Sequence, residues 1–198
     1  MSADASVPAL VEERLRAAFG EPDARAAVTF LGTERIEVLR FREAGTVRYA
    51  TVGMAAAPMA DPTAVRADPV RGPRAELLLT LREGRAGTDG VLRPLAVFAA
   101  SPVVEGVVVA PGGSLDLGEP LWLGAPFTSV LVGEAGGDVP DLVLPPPLDP
   151  VRFLPLLPMT PHEAAWKRAR GAAALLDRWR AAGTDPRDPG RPGVPLSG

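Results

Sequence analysis

The sequence has no cysteine, which excludes disulfides, thiolate metal sites and cysteine nucleophiles. It has one histidine, His162, and one lysine, Lys167. A single imidazole cannot supply the two-histidine helix of a zinc protease, and a serine–histidine–acid triad would depend on that one residue. No G-x-S-x-G run and no phosphate-binding G-x-x-x-x-G-K-[ST] run occurs. Long apolar runs are also missing. The longest stretch without a charge, residues 120–133, has 14 residues and is broken by Pro and Gly, whereas a membrane-crossing helix needs about 20 apolar residues. Nor is there an excess of positive charge. The net charge is −3 and the pI about 5.3, so nucleic-acid phosphates would meet no concentrated basic surface. The N-terminal MSADASVPALVEERLR lacks the basic and then apolar regions of a secretion signal. A cytoplasmic protein with no nucleic-acid partner and no membrane partner is expected.

What is present suits a globular core: 46% hydrophobic and 23% charged residues. Charge is uneven, because residues 160–198 carry seven basic and four acidic side chains. Ser6 as N-cap, Pro8 in the first turn and the stripe Leu10, Val11, Leu15 and Phe19 before Gly20 predict an N-terminal helix. Strand patterns follow at 27–31, 36–42, 47–54 and, after a Pro-rich loop at 58–73, at 74–82. Residues 91–100 read as a short helix with Pro94 in its first turn, followed by strands at 106–110, 128–132, 142–144 and 152–156. Between the last two, Pro145, Pro146 and Pro147 impose a stiff connection. Strands and helices do not alternate regularly. The order predicts an α+β fold, with a mixed, mainly antiparallel sheet packed with an N-terminal and a long C-terminal helix. One domain over 1–190 is expected, with a flexible Pro/Gly-rich tail at 191–198.

The segment PMTPHEAAWKRARGAAALLDRW contains His162-Glu163, as a zinc helix would, but Trp166 stands where the second histidine belongs. Helix-start chemistry explains the same residues. Thr160 is a good N-cap, Pro161 fits the first position, and Glu163 completes a T-x-x-E capping box. No metal or cofactor is expected. Ala165, Ala169, Ala172, Leu176 and Trp179, with Leu175 beside them, form a helical stripe that ends at Gly183. Gly171 falls inside this helix at a cost of about 1 kcal/mol relative to Ala, so a close backbone approach is expected there. GTDG and APGGS read as turns rather than phosphate cradles, and Asp138 and Asp141 as loop acids. Carboxylate-only catalysis leaves no local signature, so a carboxylate-dependent hydrolase stays open as an alternative.

These residues resemble a known family. LLPMTPHEAAWKRARGAAALLDRWRAAGTDP is similar to the C-terminal signature of bacterial Suppressor of fused domain proteins, with Gly171, Ala174, Leu175 and Leu176 matching its pattern. YATVGMAAAPM resembles the family's T-x-G-M-x-x-x-P-M segment, RAELLLTLRE its A-E-L-x-L strand, and GAPFTSVLV its P-F-T-x-x-L-L region. One departure is Val107, which stands where members often carry a histidine. The resemblance implies a non-catalytic α+β domain that binds proteins. Bacterial relatives are associated with immunity proteins that neutralise a toxin by contact, so a toxin is the candidate partner. A scaffold subunit of a larger assembly is a further alternative. Strand addition at a free sheet edge or an apolar patch would serve such binding. Met54, Met59, Trp122 and Phe127 are the candidate contact residues, with ordinary core positions as the alternative for each.

Overall fold

The computed structural model describes residues 6–61, 63–84 and 86–196. It begins with helix α1, Val7–Phe19, where the Ser6 hydroxyl accepts from the Ala9 N–H (3.4 Å). Strands β1 (Ala24–Val28), β2 (Ile36–Glu43), β3 (Thr46–Val52) and β4 (Arg74–Arg82) precede helix α2 (Leu92–Val104). Strands β5 (Ser114–Asp116), β6 (Ser129–Val132) and β7 (Val151–Met159) lead to helices α3 (Pro161–Arg170) and α4 (Ala172–Ala181). One seven-stranded sheet runs β1-β2-β3-β4-β7-β6-β5, antiparallel throughout except for the parallel β4–β7 pair. This is the expected mixed, mainly antiparallel α+β sheet.

The period of two along β4 divides the core. Leu77, Leu79 and Leu81 face α2, meeting Leu95, Ala96 and Phe98, while Leu78 faces α1 with Val11, Leu15, Phe41 and Phe153. A third cluster joins Leu131 and Met159 to Leu175 and Trp179, so α3 and α4 cover the β6–β7 end of the sheet on the α1 side. The T-x-G-M corner closes β3. Gly53 there has φ 122, and a Cβ on it would lie 2.6 Å from the Arg35 carbonyl oxygen. Only glycine fits this corner.

Several expectations are corrected. Residues 106–110 form no strand, and β5 begins instead at Ser114, the last residue of APGGS. Residues 142–144 contribute one bridge, Leu142 to Val151. The long C-terminal helix is two helices broken at Gly171 (φ 92, ψ 163). A Cβ on Gly171 would meet nothing within 4 Å. The expected close backbone approach is absent, and the glycine serves its dihedral angles. The break also rotates the stripe: Ala165 and Ala169 are exposed, whereas Leu175 and Trp179 are buried. The segment from residue 191, expected as a flexible tail, instead sends Arg191 (4% exposed) and Val194 (8%) into the core; residues 197 and 198 lie outside the described residues.

Candidate functional site

The four candidate contact residues do not reach the surface. Met54, Met59, Trp122 and Phe127 are 6%, 5%, 3% and 0% exposed and all belong to the α2-side core. Each is withdrawn as a contact residue. Large apolar side chains at these positions are worth more to the core than to a surface. Met59 has a further role there, since its sulfur accepts from the buried Val109 N–H (3.3 Å).

The buried carboxylates are equally committed to structure. His162 is exposed in the first turn of α3, but Glu163 beside it is fully buried. Its capping box is complete, as Thr160 N–H donates to Oε2 (2.9 Å) and Glu163 N–H to the Thr160 hydroxyl (3.3 Å). The same carboxylate accepts from Arg191 (2.8 and 3.0 Å), Trp179 Nε1 (3.0 Å) and the Val194 N–H (3.0 Å). Burial pushes its pKa up, but the donors led by Arg191 outweigh burial and hold it below the usual carboxylate range. Arg191 also lies over the rings of Phe127 (4.8 Å) and Trp179 (5.0 Å). Glu76 on β4 is the second such group, accepting from the Thr51 hydroxyl (2.6 Å), Gly53 N–H (2.9 Å) and Ala55 N–H (3.0 Å). Here burial prevails and raises the pKa. Thr51, Gly53 and Glu76 come from two of the family-like segments, so those segments specify this corner.

The GTDG turn is likewise structural. Tyr49 donates to Asp89 (2.8 Å) and sits 2.7 Å from the Thr88 hydroxyl. Burial raises the phenol's pKa to about 12. Arg40 holds Asp89 and Asp23 on the far side.

The surface that is open lies at the other end of α2. Pro94 fits the first turn of this helix, where no intrahelical N–H is needed. Pro102 deprives the Phe98 carbonyl of its donor four residues on, and the Ser101 hydroxyl takes that place (2.7 Å). The helix then ends in Val103 (59% exposed), Val104 (61%) and the exposed C-cap Glu105. The chain continues through Val107, Val108 and Val109 and turns into β5. Between α2 and β5 lies a groove of about 270 Å³, floored by Phe98, Val109, Leu115 and Val132 and rimmed by Val108 and Glu105.

β5 is an edge strand with β6 as its one neighbour. Val132 N–H donates to the Gly113 carbonyl (2.9 Å) and Leu117 N–H to that of Thr128 (2.9 Å), so Leu115 and Val130 form the hydrogen-bonded pair between them. Ser114 and Asp116 therefore direct their backbone N–H and C=O groups outward. On the opposite face, Lys167 of α3 reaches the Ser114 hydroxyl (3.3 Å). The sheet's other edge, β1, carries Arg25 in ion pairs with Glu12 and Glu37, the charged kind of edge that resists pairing. An apolar groove beside unpaired backbone can take an extended chain. The Ser101 hydroxyl that lines it is bound to backbone.

Sequence reasoning missed this groove. The signals available were an acid closing a helix, where the dipole disfavours it, and the adjacent β-branched pair Val103-Val104.

No helix among the described residues is long and apolar enough to cross a membrane. No curated protein matches the chain. Its fold is similar to that of a suppressor of fused homolog from Neisseria gonorrhoeae FA 1090, at 16% identity and TM-score 0.66 over 97% of this chain and 98% of that one. A chain of the Sufu–Fu complex is similar at 12% identity and TM-score 0.69, over 96% and 92% respectively. Drosophila Suppressor of Fused matches at 13% identity and TM-score 0.63, with 93% of this chain covering 50% of that protein. In sequence, residues 32–192 match the family model for Suppressor of fused protein (SUFU). That span holds both the groove and the Glu163–Arg191 pair, and the chain belongs to the Suppressor of fused family.

Proposed function

We propose that the chain is a non-catalytic protein-binding domain that captures an extended segment of its partner by strand addition at β5. The observation that carries this is the free β5 edge beside the apolar groove, with Val108 exposed on its rim and Val103 and Val104 exposed at the end of α2. Main-chain bonds to Ser114 and Asp116 would supply affinity, and side chains entering the groove specificity. A solved relative is a partner in the Sufu–Fu complex, which supports protein binding as the role of this fold here too. The finer reading is an immunity protein in the cytoplasm whose bound segment belongs to a toxin. A carboxylate-dependent hydrolase has less support, because Glu76 and Glu163 are buried away from the groove and bonded within the fold.

Copurification from the native host, with mass spectrometry, tests the reading when wild type is compared with Ser114→Pro and Val108→Asp. Ser114→Pro removes an outward N–H and leaves the β6 ladder intact. A partner retained by wild type and lost from both variants supports strand addition. A partner retained equally by all three contradicts it. Coexpression with the product of the neighbouring gene tests the immunity role: growth rescued by wild type and not by Ser114→Pro supports it, and no rescue by wild type overturns it.

A further inference from the structure

Resting on that reading of the β5 edge, we infer that the groove selects a basic partner segment: aliphatic residues at alternate positions with an arginine or lysine beside them. An added strand places every second side chain on the Leu115 face, about 7 Å apart, above Phe98 and Val109. Aliphatic side chains suit that floor. The charge preference comes from the rim. The charged side chain on the groove side is Glu105, which is exposed, whereas Asp116, two residues from Ser114, directs its carboxylate to the opposite face of β5. The nearby cation, Lys167, lies on the other face of the strand, at the Ser114 hydroxyl.

Glu105 is placed against its own helix. As the C-cap of α2 it adds a negative charge to the negative end of the dipole, where a basic residue would be stabilising. The two residues before it are exposed valines, whose β-branching disfavours a helix end. Local rules broken at three consecutive positions mark a place where the sequence serves something besides folding. A cationic partner side chain over Glu105 satisfies both the carboxylate and the carbonyl end of α2.

The experiment selects displayed random dodecapeptides on the full chain at low salt, then measures affinities of enriched peptides by fluorescence polarisation. Enrichment of aliphatic-x-aliphatic cores flanked by arginine or lysine is expected. Glu105→Lys should weaken such a peptide about two- to fivefold, the range for one exposed ion pair. A peptide with its basic residue changed to glutamate should regain affinity for that variant. Thermal melts matching wild type establish that the variant folds. Acidic or uncharged enriched peptides overturn the charge inference. So does an affinity unmoved by Glu105→Lys and lost with Ser114→Pro, and in that case the groove reading stands. No enriched peptide, or enriched peptides indifferent to Ser114→Pro, overturns the groove reading and this inference with it.

Discussion

Glu163 and Glu76 are both fully buried carboxylates, yet their surroundings set them in opposite directions. Glu163 has a lowered pKa in the fold, so its contribution to stability is present above the unfolded carboxylate value and is lost as pH falls through the folded one. Glu163→Gln leaves Arg191 buried without its counter-charge and should cost about 3 kcal/mol at neutral pH. The cost should shrink as the pH is lowered into the acid range, read by urea unfolding across pH. Equal losses at pH 7 and pH 3 would show that the ion pair is not responsible. Glu76 has a raised pKa, so its contribution is full below the unfolded value and is lost as pH rises through the folded one. When the carboxyl is neutral, its own proton fills the 2.6 Å link to Thr51 in the reverse sense. A glutamine can place its amide nitrogen in that position and keep its oxygen for Gly53 and Ala55. Glu76→Gln should therefore be neutral or stabilising at pH 8, whereas Glu76→Ala should destabilise by about 2–4 kcal/mol through lost bonds and a cavity. A glutamine variant as unstable as the alanine one would contradict this account.

At the scale of elements, Gly171 decides how the C-terminal helices meet. Its φ of 92 with ψ 163 is a region nearly restricted to glycine, and open space surrounds the Cβ position. Gly171→Ala and Gly171→Leu should then cost the same, about 1–3 kcal/mol, in thermal unfolding. A leucine much worse than alanine would instead point to the close backbone approach expected from the sequence. The pattern of A-L-L and Trp spacing fits a continuous helix as well as a broken one, which is why this break was not legible in the sequence. Elements with a strong period were legible. β4 matches its alternating leucines to the residue, α1 its Ser6 cap, and α3 its T-x-x-E box. Residues 106–110 misled because three valines in a row carry β propensity, while the loop's polar groups are met by other means, Val109 N–H by a methionine sulfur. The short β5 had no pattern of its own, being a strand set by pairing with β6. The tail misled by composition. Its prolines and glycines suit a loose chain, but Arg191 finds Glu163 from 28 residues away, a contact no local pattern encodes.

For the molecule as a whole, the family-like segments mark the frame rather than the binding surface. Thr51, Gly53 and Glu76 build one buried corner, and Glu163, Trp179 and Phe127 gather round Arg191 at another. The resemblance was therefore legible in residues that hold the fold, and the same burial removed Met54, Met59, Trp122 and Phe127 from the surface. The groove was illegible because it needs the end of α2 and a sheet edge brought together across the chain. Two edges close the sheet, and they differ: β1 is guarded by the Arg25 ion pairs, and β5 is short and borders the groove. Amide hydrogen exchange on the chain with and without its copurified partner tests the central claim most directly. The account predicts that the partner slows exchange at Ser114 and Asp116, the outward-facing amides of β5, and leaves the amides of β1 unchanged. Protection at β1 or along α3 and α4, with β5 exchanging as in the free chain, would contradict it.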